Sequence, residues 1–230
     1  MSIFTDTLSG ALTAADIKHD TKQLQRCEAY FRLVEEANKR TNLTRITDEA
    51  DAATRHFADA IYLLSMADLP SGCRVIDIGT GAGFPGMPLA LFRPDLDMTL
   101  LDASGKKTDF LRTAVETMGI DVTVLCARAE DAVADLRESF DAVISRAVAS
   151  LNILTELCAP FVGVGGIFAA WKGETYRDEL HDAKNALKTL GCAVKDIHPV
   201  GRGALILMQK EKPAPSMYRR RFSKIKAKPL

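Results

Sequence analysis

The stretch VIDIGTGAGFPGMPLALFRPDLDMTLLDA, residues 75–103, holds residue types that can do chemistry, at a telling spacing. An apolar run ends in Asp77, passes through glycines at 79, 81 and 83, and opens a helical pattern, so that backbone can approach a ligand closely. Pro85 and Pro88 suit the first turn of that helix, where a missing N–H is tolerated. Asp102 ends the next apolar run 23 residues after Gly79, at the same edge of a sheet, where a carboxylate can serve both hydroxyls of a ribose. The pattern predicts a nucleoside cofactor. A dinucleotide site prefers G-x-G-x-x-G, which leaves a helix N-terminus to receive pyrophosphate. Here the third glycine falls one position early, and Phe84 stands where that pattern has Gly or Ala. Asp77, two positions before the first glycine, favours a cationic ligand over a diphosphate. S-adenosylmethionine, with an ammonium, a sulfonium and no phosphate, meets these terms better than NAD. The competing enzyme reading is an NAD-dependent oxidoreductase.

These residues need a sheet edge to hold them, and the rest of the chain supplies one. From Gly72 onward, short β-branched runs alternate with helical patterns, the sequence form of a parallel sheet with crossover helices. Strands are predicted near 74–79, 97–102, 122–126, 140–145, 166–171, 193–198 and 203–209. Phe110, Leu111, Ala114, Val115 and Met118 share one face of the helix after the second strand, and Gly119 stops it. Only Gly201 to Gly203 link the last two runs, which permits a hairpin and makes the seventh strand antiparallel. The expected fold is α/β: a class I S-adenosylmethionine-dependent methyltransferase, Rossmann-like, with a seven-stranded sheet. Before it, Leu24, Cys27, Phe31 and Val34 mark a helix over roughly 20–37, and Ala53, Phe57, Ala60, Ile61 and Leu64 mark another, with Asp48 as its N-cap. The chain therefore divides into an N-terminal helical extension (1–70), a methyltransferase domain (71–210) and a basic tail (211–230).

The charge is segregated. The 30 basic and 30 acidic residues cancel overall, but residues 211–230 hold seven cations against one acid, a net +6 that leaves the preceding 210 residues at −6. A local basic patch attracts polyanions whatever the net charge. The tail, with Pro213 and Pro215, reads as an extended arm that packs little. The five cysteines show no C-x-x-C pair, so reduced thiols are expected rather than disulfides or a metal site. The N-terminus MSIFTDTLSG lacks the basic and apolar regions of a secretory signal, and no apolar run reaches membrane-spanning length, so the cytoplasm is the expected compartment.

With these motifs in place, the sequence resembles the bacterial ribosomal RNA small subunit methyltransferase G family, also called glucose-inhibited division protein B. The resemblance lies in RTNLTRI (40–46), RHFADA (55–60), VIDIGTGAGFPGMPLA (75–90), LLDASGKKTDFL (100–111), FDAVISRAVASL (140–151), WKG (171–173) and the closing KAKPL. It implies methylation of guanine N7 at nucleotide 527, in the 530 loop of 16S ribosomal RNA, using S-adenosylmethionine. It also implies cofactor contacts from Gly79, Phe84, Ala129, Glu130 and Arg146, which join Asp102. The partner is then 16S rRNA or the small ribosomal subunit, and a monomer without metal is expected.

N7 of guanine has an in-plane lone pair and no proton, so its methylation needs positioning and no general base. No Pro-Cys motif follows the fourth strand, as a C5-pyrimidine enzyme requires, and SRAVASL replaces the Pro-Pro-aromatic motif of amino-group enzymes. No catalytic acid or base is assigned, and His56 reads as a packing or capping residue. Phe84, Phe161 and Trp171 are stacking candidates that read equally as core. Lys172, at a strand end, and Arg219, Arg220 and Arg221 are the RNA-binding candidates. A non-catalytic RNA-binding module is the remaining alternative. An arm that packs little predicts that deleting residues 212–230 weakens RNA binding while leaving cofactor binding nearly unchanged.

Overall fold

A computed structural model describes residues 2–230. Helices come first. The apolar stripes do not announce α1 (Ile3–Ala14), which starts at a capping box between Ser2 and Thr5. Helix α2 (Thr21–Thr41) is capped by Asp20, which accepts from Gln23 N at 2.7 Å, and it ends at Asn42 in the left-handed region. It buries the expected Leu24, Cys27, Phe31 and Val34, and Tyr30 as well. The next stretch is capped by Asp48 as expected but is not one regular helix. It runs as α3 (Glu49–Ala52), a π-helical segment (Ala53–Ala58), α4 (Asp59–Ile61) and α5 (Leu63–Met66). The wide π turn sets His56 and Phe57 together in the interior, and after the break at Tyr62 it is Leu63, not Leu64, that is buried.

The sheet follows in the expected order. Its strands are β1 (Arg74–Ile78), β2 (Asp97–Asp102), β3 (Val122–Cys126), β4 (Phe140–Arg146), β5 (Val162–Lys172), β6 (Cys192–Val200) and β7 (Gly203–Lys210). Between them lie α6 (Gly86–Phe92), α7 (Gly105–Met118), α8 (Ala129–Leu136), α9 (Leu151–Cys158), α10 (Tyr176–Asp182) and α11 (Lys184–Thr189). The spatial order is β3-β2-β1-β4-β5-β7-β6, with β7 antiparallel to both neighbours. Because helices cover both faces, the central strands are buried on both sides and read as continuous apolar runs. Period two still sorts them. Val75, Ala142, Ile144, Leu205 and Leu207 join Phe4, Tyr30 and Phe57 on one face, while Ile76, Ile78, Val143, Ile206 and Met208 join Leu154 and Phe161 on the other. The strand order reverses between β1 and β4, and a crevice outside their carboxyl ends is where such sheets bind ligands.

The tail is not the extended arm expected from its composition. It folds back over α8 and α9 and ends in a short helix, α12 (Phe222–Ala227), whose Ile225 is 1% exposed. The Arg137 guanidinium donates to the carbonyls of Ala214, Ser216 and Tyr218, and Glu138 accepts from Ala214 N at 2.7 Å. Arg220 forms a two-pronged ion pair with Glu156 of α9, whose side chain is wholly buried. Composition shows the seven cations but not the acid waiting for one of them. Cys27, Cys73, Cys158 and Cys192 are buried free thiols, and Cys126 is an exposed one.

Candidate functional site

The glycine loop is held from behind. Asp77 is wholly buried, and its Oδ2 accepts from Thr80 Oγ1 at 2.6 Å and from Gly86 N at 2.8 Å. Burial pushes its carboxyl up to about 7 against the pull of those two donors, and Oδ1 has no partner among the described residues. Tyr30 of α2 donates to Ala82 O at 2.6 Å. Gly79, Gly81 and Gly83 all have positive φ. A Cβ on Gly83 would run into the Tyr30 hydroxyl and Met87, so the third glycine is required by packing against the helical extension and not by a ligand.

In front of this loop lies a cavity of about 280 Å³. Following the sheet edge from β4 to β3, its wall passes through Ala147 and Val148, then Ile78 and Gly79, then Leu101, Asp102 and Ala103, and then Ala127 to Glu130. Asp102 Oδ2 accepts from Gly81 N and Oδ1 from Ser104 N, both at 2.9 Å, and Lys107 Nζ lies 3.9 Å from Oδ2. Each carboxylate oxygen can accept twice, so Asp102 retains capacity for two further donors on the cavity side. Glu130 Oε1 accepts from Phe222 N at 3.0 Å, and Phe222 completes the wall at the β3 end.

Of the residues assigned to the cofactor, Gly79, Asp102, Ala129 and Glu130 line this cavity, whereas Phe84 and Arg146 do not. Arg146 lines a second, larger cavity of about 730 Å³ that meets the first at Ala147, the residue common to both walls. Its Nη1 donates to Arg55 O at 2.6 Å and its Nη2 to His56 Nδ1 at 2.7 Å, while His56 Nε2 lies 2.9 Å from Thr44 Oγ1. An arginine only donates, so Nδ1 accepts and the ring proton sits on Nε2, directed at Thr44. Burial, then the charges of Arg146 and Arg55, lower His56 to about 3, which keeps it neutral. Phe84 lies beneath, stacked on His56 with ring centroids 4.3 Å apart, and the Arg146 guanidinium is 5.7 Å from its centre. This arrangement ties the RTNLTRI, RHFADA, glycine-loop and SRAVASL segments into one network. Trp171 and Lys172 line the same cavity. Trp171 donates from Nε1 to Asp59 O at 3.0 Å. Lys172, expected to bind RNA, has a side chain only 6% exposed that pairs with Glu179 at 2.6 Å and donates to Ala149 O. Phe161 is core, on the far face of the sheet from Trp171. Arg219 and Arg221 are exposed, and Arg220 is committed to Glu156.

Several site residues had no usable signal in the sequence. Ala147, a non-glycine residue at φ 57°, has an unremarkable neighbourhood in SRAVASL, yet it separates the two cavities. Val148 stands where a Cβ on Gly79 would go. Phe222 is one aromatic residue in a basic tail, and only its backbone hydrogen bond to Glu130 reveals its place.

The cavity's donors and acceptors fit S-adenosylmethionine and not a dinucleotide. The N-terminal amide of α6, where a diphosphate would seat, already donates to Asp77 Oδ2 and is not free to receive one. On the cavity side, the spare acceptor capacity of Asp102 suits the hydroxyls of a nucleoside, whereas Asp77, expected to favour a cationic ligand, is buried behind the loop and does not line the cavity. Solved structures share the architecture. The SAM-dependent O-methyltransferase from Thermotoga maritima aligns with a TM-score of 0.56 at 16% identity, over 80% of this chain and 73% of that one. The ribosomal protein L11 methylase from Lactobacillus delbrueckii subsp. bulgaricus aligns with a TM-score of 0.55 at 17% identity, over 69% of this chain and 79% of that one. Fold and site thus define a class I methyltransferase that uses S-adenosylmethionine. Residues 23–208 match the family described as rRNA small subunit methyltransferase G. Proteins of that name are 42% identical in Moorella thermoacetica, over 87% of both chains, and 36% identical in Clostridium beijerinckii, over 99% of both. The chain belongs to the rRNA small subunit methyltransferase G family.

Proposed function

We propose that the protein methylates N7 of guanine 527 in the 530 loop of 16S rRNA, acting as a monomer in the cytoplasm. The observation that carries the reading is the shared wall at Ala147, where the cavity lined by Asp102 adjoins one lined by Arg45, Arg55, Arg146 and Trp171. A donor and an acceptor nucleotide placed in the two cavities meet at that residue. S-adenosylmethionine supplies an activated methyl group. The chain itself positions the partners: Asp102 and the Gly79 backbone hold the donor side, and the Arg146, His56 and Thr44 network fixes the acceptor side. His56, kept neutral, adds no charge beside Arg146, and no proton needs to leave guanine N7. Guanine N7 is inaccessible in the deep groove of a paired A-form helix, so the substrate is a loop or unstacked base. Exposed Arg45, Arg55, Arg219 and Arg221 supply phosphate contacts, with Ala129 and Glu130 on the base of the cofactor. No helix among the described residues is long and apolar enough to cross a membrane.

The test is transfer of labelled methyl from S-adenosylmethionine to small-subunit RNA lacking the modification, in naked and assembled forms, followed by mapping of the methylated atom. Label confined to nucleotide 527 at N7 is the expected result. Label on another nucleotide, or on protein, refutes it.

A further inference from the structure

The C-terminal tail is built into the cofactor cavity. Phe222 lines that cavity beside Ala127, Arg128, Ala129 and Glu130, and its backbone N–H donates to Glu130. The segment carrying it is anchored on both sides, by the Arg220 pair with Glu156 before it and by Ile225, 1% exposed, after it. Phe222 itself is half-buried against the apolar cluster on that face of the sheet.

The order of residues along the cavity says which end Phe222 occupies. The second cavity adjoins at Ala147, after β4, so transfer takes place at the β4 end. Asp102, the ribose acceptor, lies at the end of β2, two strands away, and the wall from Ala127 to Glu130 follows β3, one strand further. Methyl, ribose and base must follow one another in that direction, which places the adenine between the β3 end and Phe222. We infer that Phe222 is a cofactor-binding residue whose ring packs against the adenine, and that the docked tail therefore helps determine affinity for S-adenosylmethionine. The inference rests on the S-adenosylmethionine reading above. It reverses the expectation that a basic tail serves RNA alone.

Calorimetric titration of the full-length protein with S-adenosylhomocysteine, which keeps the adenosine and needs no turnover, tests it. Phe222→Ala is expected to weaken binding roughly 5- to 100-fold, the range of an aromatic ring stacked on a base. Phe222→Tyr, which keeps the ring, should bind within about twofold of wild type, and a chain ending at Lys210 should lose at least as much as Phe222→Ala. Wild-type affinity in Phe222→Ala or in the shortened chain overturns the inference, as does an equal loss in Phe222→Tyr, because the effect would then not follow the ring. Wild-type protein that binds no S-adenosylhomocysteine defeats the cofactor reading and this inference together, whereas normal wild-type binding with an unaltered Phe222→Ala defeats the inference alone.

Discussion

Two buried groups at the site titrate in opposite directions, and their opposition is measurable. Burial raises Asp77 from its ordinary 3.8 to about 7, so between those values the folded state holds a proton the unfolded state has lost, and stability falls as pH rises. Burial and two arginines lower His56 from its ordinary 6.5 to about 3, so between those values the unfolded state holds the extra proton, and stability rises with pH. From roughly pH 5 to 6.5 each contributes about 1.5–2 kcal/mol, with opposite signs. In wild type the two nearly cancel. Asp77→Asn keeps an acceptor for Thr80 and Gly86, so its stability relative to wild type should rise by that amount across the window. His56→Gln, which offers a carbonyl to Arg146, should fall by a similar amount. Lost stacking on Phe84 shifts the His56→Gln curve without tilting it. Urea unfolding of the three proteins at both ends of the window, followed by circular dichroism, reads the differences, and comparison with wild type removes the other titrating groups. Three parallel profiles would refute the assignment of a protonated Asp77 and a neutral His56.

Other perturbations test the site and its supports separately. Asp102→Ala should weaken S-adenosylhomocysteine binding by about 1–3 kcal/mol in calorimetry, and unchanged affinity would remove Asp102 from the cofactor site. Arg220→Ala strands the buried Glu156 carboxylate, which costs up to about 3–5 kcal/mol unless the tail lifts and lets water in. Hydrogen exchange over residues 213–227 should accelerate, and unaltered protection would show that the pair does not hold the tail. Gly83→Ala, at φ 83° with Tyr30 and Met87 in the way of a Cβ, should lose about 2–4 kcal/mol in thermal unfolding. Gly105→Ala, with nothing within 4 Å of its new Cβ, is the neutral comparison, and equal losses in the two would contradict the packing argument.

The sheet was legible because its central strands, buried on two faces, wrote nearly continuous apolar runs between turn signals, and the short Gly-Arg-Gly link before β7 admitted only a hairpin. Asp102 was legible as a carboxylate at a strand end. What the sequence hid were the relations between distant segments. Arg146 faces the second cavity and Phe84 is buried beneath His56 because a π turn brings His56 against both, and no periodicity rule anticipates that turn. Lys172 and Arg220 read as RNA-binding cations because their partners, Glu179 and Glu156, lie on helices with no sequence mark of an ion pair. Asp77 was expected to face a cationic ligand and instead braces the loop from within, since its nearest donors are the hydroxyl and amide of its own turn.

The Tyr30 hydroxyl that props Ala82 sets a condition on how the molecule can be cut and made. A fragment beginning at residue 71 would keep every glycine of the loop yet lose the Tyr30 ring beside Gly83 and its hydrogen bond to Ala82, so its loop would lack a support that the full chain has. On the ribosome the order is favourable: α2 has been synthesised well before residues 79–86 emerge, and domains assemble from the N-terminus as they appear. The cofactor loop is the guest of an element older in the chain than itself.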